Sequence, residues 1–104
     1  MIAVDESWNG REVVLQRGET LKVSLKENAS TGFQWTIRAL PDVLRESEES
    51  VEAPKGPPGR GGVRHLYFEA ARPGVGELEL EYRRSWEHAP RPARVFRLRA
   101  RVRD

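Results

Sequence analysis

The sequence predicts an all-β fold, an antiparallel sandwich or barrel of about seven short strands. Three observations lead there. Apolar residues recur at every second position through most of the chain, Gly- and Pro-containing clusters break the runs, and only one short stretch has helical character. With 104 residues, 38% hydrophobic, the chain fits a single domain spanning 1–104 with one modest core and no room for a deep cofactor cleft.

The elements follow in order. Glu12–Gln16 is a weaker strand candidate. Leu21, Val23 and Leu25 alternate with Lys22, Ser24 and Lys26, and Phe33, Trp35 and Ile37 alternate with Gln34, Thr36 and Arg38. Leu40–Ser47 has helical character, with Pro41 ahead of Asp42 placed to open a single turn. Ser50–Ala53 is a second weak candidate. Leu66, Phe68 and Ala70 alternate with His65, Tyr67 and Glu69, and Leu78, Leu80 and Tyr82 with Glu77, Glu79 and Glu81. Phe96, Leu98, Ala100 and Val102 alternate with Arg97, Arg99, Arg101 and Arg103. Such alternation puts one face of a strand on a core and the other in solvent.

Composition removes several function classes. There is no cysteine, hence no disulfide, no catalytic thiol and no Cys-based zinc site. The longest apolar runs reach three or four residues, far below the roughly 20 of a membrane-spanning helix, so no membrane insertion is expected. Met1–Val4 lacks the basic and apolar regions of a signal peptide. The two histidines, His65 in a strand with its side chain expected toward solvent and His88 beside Trp86, form no metal-ligand cluster and no nucleophile–base–acid set. No enzyme activity, metal or cofactor is expected.

Eighteen basic residues, all but Lys22, Lys26 and Lys55 arginine, stand against sixteen acidic ones. The resulting net charge of +2 gives little long-range attraction for nucleic acid. The glutamates of Glu77, Glu79 and Glu81 and the arginines Arg97, Arg99 and Arg101 lie on successive strands. If those strands pair antiparallel, the rows neutralise each other across the ladder and no phosphate-binding stripe is left.

Function is therefore expected in the loops. Asn28-Ala29-Ser30-Thr31-Gly32-Phe33 joins two strands; read alone it is an ordinary turn, with Gly32 open to positive φ or to close approach by another molecule. Gly59-Arg60-Gly61-Gly62 is glycine-rich, but a strand and not a helix follows, which argues against a phosphate cradle. Arg84-Ser85-Trp86 ends the alternation, so Trp86 is either an exposed anchor flanked by arginine or a ring folded over the sandwich edge.

In this order, the three loops resemble the chagasin family of cysteine-peptidase inhibitors, whose pattern is Asn-Pro-Thr-Thr-Gly-Phe/Tyr, then Gly-x-Gly-Gly, then Arg-Pro-Trp/Phe. Trp35, two residues beyond Phe33, agrees with the family's aromatic there. The chain departs at Ala29, Ser30 and Ser85, where the family has Pro, Thr and Pro; the two missing prolines imply less preorganised loops. The resemblance implies an immunoglobulin-like sandwich with the functional loops at one end, acting as a reversible wedge in the cleft of a papain-like cysteine peptidase. It places Asn28, Ser30, Thr31, Gly32 and Phe33 in the first protease-binding loop, with Thr31 and Gly32 nearest the peptidase's catalytic Cys and His. Gly59, Arg60, Gly61 and Gly62 would offer backbone along one side, with Arg84 and Trp86 on the other. A wedge working from one end functions as a monomer. The alternative is an immunoglobulin-like binding or adhesion module with another protein or carbohydrate partner, whose loops need not converge on one apex.

Overall fold

A computed structural model describes residues 1–28, 32–52, 62–84, 86 and 91–104. Among the described residues, eight strands form two four-stranded sheets. The first has the order β1 (Ile2–Val4), β3 (Thr20–Glu27), β6 (Gly62–Ala70), β5 (Leu44–Glu52). The second has the order β2 (Glu12–Gln16), β8 (Arg94–Arg103), β7 (Gly74–Arg84), β4 (Phe33–Ala39). The all-β sandwich is as the alternation predicts.

The inward phase of each run supplies the core. Leu21, Val23, Leu25, Leu66 and Phe68 from the first sheet meet Leu15, Leu78, Leu80, Phe96 and Leu98 from the second, all at most 1% exposed. Burying one such side chain contributes roughly 1.5–3 kcal/mol. The weak candidate Glu12–Gln16 is a strand because Val13 and Leu15 reach this core.

Three features differ from the sequence expectation. First, β1–β3 and β2–β8 pair in parallel, so the sheets are mixed. The chain crosses between sheets through a short 3-10 turn at Glu6–Trp8. Asp5 caps that turn: its carboxylate accepts from Ser7 Oγ (2.5 Å) and Ser7 N–H (2.9 Å), which holds it below the usual carboxylate range. The strap is then tied to β8, where Asn9 Oδ1 accepts from the Arg97 N–H (2.8 Å) and Gly10 N–H donates to the Arg97 carbonyl (2.7 Å). A three-residue strand such as β1 is too short to show a period.

Second, the helical character at Leu40–Ser47 gives way to one hydrogen-bonded turn, Leu44 N–H to Pro41 carbonyl at 3.0 Å, followed directly by β5. Pairing with β6 from Leu44↔Ala70 to Glu52↔Val63, across a bulge at Glu46/Glu48, overrides local propensity and extends the weak candidate at Ser50 backward. Ala53 lies outside the described residues.

Third, the charge rows answer each other across the β7–β8 ladder at two positions and take other partners at the rest. Glu77 faces Arg99 and Glu79 faces Arg97, the latter as an ion pair at 3.5 Å. The register sets Arg101 opposite Val75 and Glu81 opposite Val95. Because β8 is an interior strand, Arg101 instead meets Glu12 on β2 (3.3 Å), while Glu81 meets Arg83 (2.6 Å) and Arg38 (3.5 Å). His65 is half-buried on the outer face, its Nδ1 2.7 Å from Ser24 Oγ across the β3–β6 ladder.

Candidate functional site

The roots of the three loops share one end of the sandwich. Glu27, closing β3, lies opposite Gly62 at the start of β6; Phe33, opening β4, lies opposite Arg84 at the end of β7; and Tyr82 lies opposite Arg94 at the start of β8. An open groove of about 420 Å³ runs between these roots, lined by Lys26, Glu27, Asn28, Gly62, Val63, Tyr82 and Arg94.

Glu27 and Arg64 are the buried charged residues among those described, at 3% and 8% exposure. Both fall on the inward phase of their strands. The Arg64 fork donates from Nε (2.5 Å) and Nη2 (2.6 Å) to the two Glu27 oxygens, and Glu27 Oε2 also accepts the Trp35 N–H at 2.9 Å. A bidentate pair with its acceptors filled is the arrangement that repays desolvation best. Here it joins β3, β4 and β6 beneath the first and second loops.

Trp35 and Tyr82 close the base. Trp35 Nε1 donates to the Lys26 carbonyl at 2.9 Å, a second tie across the root of the first loop. The Tyr82 hydroxyl accepts the Asn28 N–H at 3.0 Å, while its ring stacks on Phe33 at 5.1 Å between centroids and tilts against Trp35 at 5.0 Å. One side chain thus holds both ends of the 28–33 loop. Arginines cover the stack: Arg84 lies 4.5 Å from the Phe33 ring centre and Arg94 lies 5.5 Å from that of Trp35. Arg94 Nη2 is also 2.7 Å from Glu6 Oε1, a charge contact outside hydrogen-bonding angles that links the stack to the strap.

Of the residues singled out in the sequence, the structure brings together Asn28, Gly32, Phe33, Gly62, Arg84 and Trp86. Phe33 and Arg84 are half-buried and belong to the base of the loops. Trp86 is 64% exposed. Gly32 has φ +81° and lies against the Trp86 indole. Ser30, Thr31, Gly59, Arg60 and Gly61, together with Ala29, Ser85 and His88, lie outside the described residues. Among the described residues no group of three His, Asp or Glu side chains is placed to hold a metal ion.

Sequence reasoning missed Glu27, Arg64, Tyr82 and Arg94 as parts of this end. The signal was present: Glu27 continues Leu21-Val23-Leu25 and Arg64 precedes Leu66-Phe68-Ala70 on the inward phase, so each charge sits at a core position.

Residues 14–100 match the family model described as Chagasin family peptidase inhibitor I42. Amoebiasin-2 of Entamoeba histolytica is 29% identical over 79 residues, which are 73% of this chain and 64% of that protein, just under two thirds of its length. Chagasin of Trypanosoma cruzi is 29% identical over 89 residues, covering 80% of this chain and 81% of the relative. Among solved structures, the crystal structure of a cysteine protease inhibitor from Entamoeba histolytica superposes with a TM-score of 0.86 over 98% of this chain and 94% of its own, at 22% identity, a likeness of fold.

Proposed function

The chain belongs to the chagasin family of peptidase inhibitors, and from that premise we propose that it is a reversible inhibitor of papain-like cysteine peptidases which occludes the active-site cleft with loops 28–33, 59–62 and 84–86. The family is one of inhibitors and not of enzymes, and the two roles place the nucleophile on different molecules: with no cysteine in this chain, the thiol to be blocked is the partner's.

The observation that carries the reading is the shared root of three loops with Trp86 held out at 64% exposure. A cleft is filled by a narrow end, and an exposed aromatic beside arginine supplies the anchor such an interface concentrates its energy in. In this reading Thr31 and Gly32 approach the catalytic Cys and His without presenting a peptide bond in cleavable geometry. The 59–62 backbone lies along one wall as an added extended segment does. Trp86 stacks on apolar surface of the other wall, with Arg84 behind it. The wedge acts as a single domain and a monomer, burying roughly 1,200–2,000 Å² in total.

Titrating papain with the folded protein tests this. Residual activity is expected to fall to zero on a reversible binding curve, and Trp86→Ala to weaken it by about 2 kcal/mol or more, roughly thirtyfold. Full papain activity at micromolar excess of folded protein would overturn the proposal.

A further inference from the structure

We propose that Gly32 is the seat of Trp86, so that the first and third loops present themselves as one body; its consequence for inhibition rests on the inhibitor reading above, whereas the contact itself rests on geometry alone. A Cβ built on Gly32 would overlap Cη2 of Trp86 and stand 2.7 Å from Cζ3 and 2.9 Å from Cζ2, closer than the 3.0 Å that real Cβ atoms keep. The far edge of the six-membered ring therefore occupies space that exists only because residue 32 has no side chain. The contact does not bury the indole, most of whose surface stays open to a partner.

The support beneath makes this seat a defined place. Phe33, the next residue after Gly32, faces Arg84 in the β4–β7 register, and Arg84 is two residues before Trp86. Phe33 is clamped between the Tyr82 ring and the Arg84 guanidinium. The two segments that carry glycine and indole are thus tied immediately below their contact. An exposed Trp on an unsupported loop samples several rotamers and loses that freedom on binding. A Trp already resting on Gly32 has lost it beforehand, which matters in a chain lacking the family prolines at positions 29 and 85.

Position 32 carries two separate demands, and they can be tested apart. Its φ of +81° lies in the left-handed region, which Asn tolerates better than other non-glycine residues. The absence of a Cβ is a demand Asn does not meet. In the free protein, proton NMR is expected to show nuclear Overhauser contacts between Gly32 Hα and the Hη2 and Hζ3 protons of Trp86. Trp86→Leu should shift the Gly32 amide resonance while amides of the sandwich middle stay in place. In papain titrations, Gly32→Asn should raise the inhibition constant at least threefold more in the native background than in the Trp86→Leu background, where only the added side chain's clash with the peptidase is left. Absence of the Overhauser contacts in the folded protein overturns the seat, and equal losses in both backgrounds overturn its role in presenting the loops. If Gly32→Asn does not fold, the Overhauser contacts and the Trp86→Leu shift decide alone. Contacts present in a protein that leaves papain untouched would sink the inhibitor reading and leave the seat standing.

Discussion

Along β3 the inward positions run Leu21, Val23, Leu25 and then Glu27; along β6, read toward the same end, they run Phe68, Leu66 and then Arg64. The second sheet changes at the same level, from Leu80 and Tyr82 to Arg84 on β7 and from Leu98 and Phe96 to Arg94 on β8. The middle of the sandwich is aliphatic with two phenylalanines, whereas the loop end is charged and aromatic. The two regions do different work. Aliphatic burial is non-directional and supplies stability in proportion to area. The loop end spends some of that stability on desolvating Glu27 and Arg64, and gains geometry: fixed hydrogen bonds at Asn28 and Trp35 and fixed ring planes at Phe33 and Tyr82. A protein that must enter another molecule's cleft needs its tip ordered before contact, and this end is where directional contacts collect.

The largest effect is expected at Glu27. Glu27→Ala removes the carboxylate that the buried Arg64 fork donates to and the acceptor of the Trp35 N–H, and should cost about 3–5 kcal/mol in denaturant unfolding. Replacing Glu27 and Arg64 together by apolar residues should recover most of that stability while weakening papain inhibition. A near-neutral Glu27→Ala would mean the loop end is not built on this pair. Next comes the middle. Leu98→Ala, at a fully buried site, should cost about 2–5 kcal/mol, yet the folded fraction should inhibit papain with an unchanged constant. A large loss of inhibition there would erase the division between the two regions. Tyr82→Phe keeps the ring stack and removes the acceptor for the Asn28 N–H, with an expected cost of about 1 kcal/mol and faster hydrogen exchange at that amide. The smallest effect belongs to the outer face. Glu79→Gln breaks a half-exposed ion pair with Arg97 and should change stability by about 0–1 kcal/mol, less still at high salt.

Much of the fold was legible because a strand writes its burial into its own sequence at period two, and five such runs appear in the chain. What escaped was non-local. The segment after Pro41 carries local helical character, and its strand state is decided by the β6 edge it pairs with. The partner of Arg101 depends on β2 lying beside β8, a parallel pairing between segments more than eighty residues apart. At the site, the loop motifs were legible as residue types in order, and Gly32 and Trp86 were singled out separately. Their contact was not legible, since nothing local to position 32 shows which ring fills the space a side chain would take.

By itself the sequence determined the class of fold, the inward and outward face of each run, the mutual answering of Glu and Arg on the second sheet's outer surface, and the three loops on which function is read. These are properties of short segments and follow from strand geometry and side-chain chemistry. The tertiary structure decided which charges meet, that Glu27 and Arg64 neutralise each other inside the sandwich, that Tyr82 reaches back to both ends of the first loop, and that the third loop's indole rests on the first loop's glycine. Each of these needs groups from different strands at hydrogen-bond or van der Waals distance, and only sheet order and register set such distances.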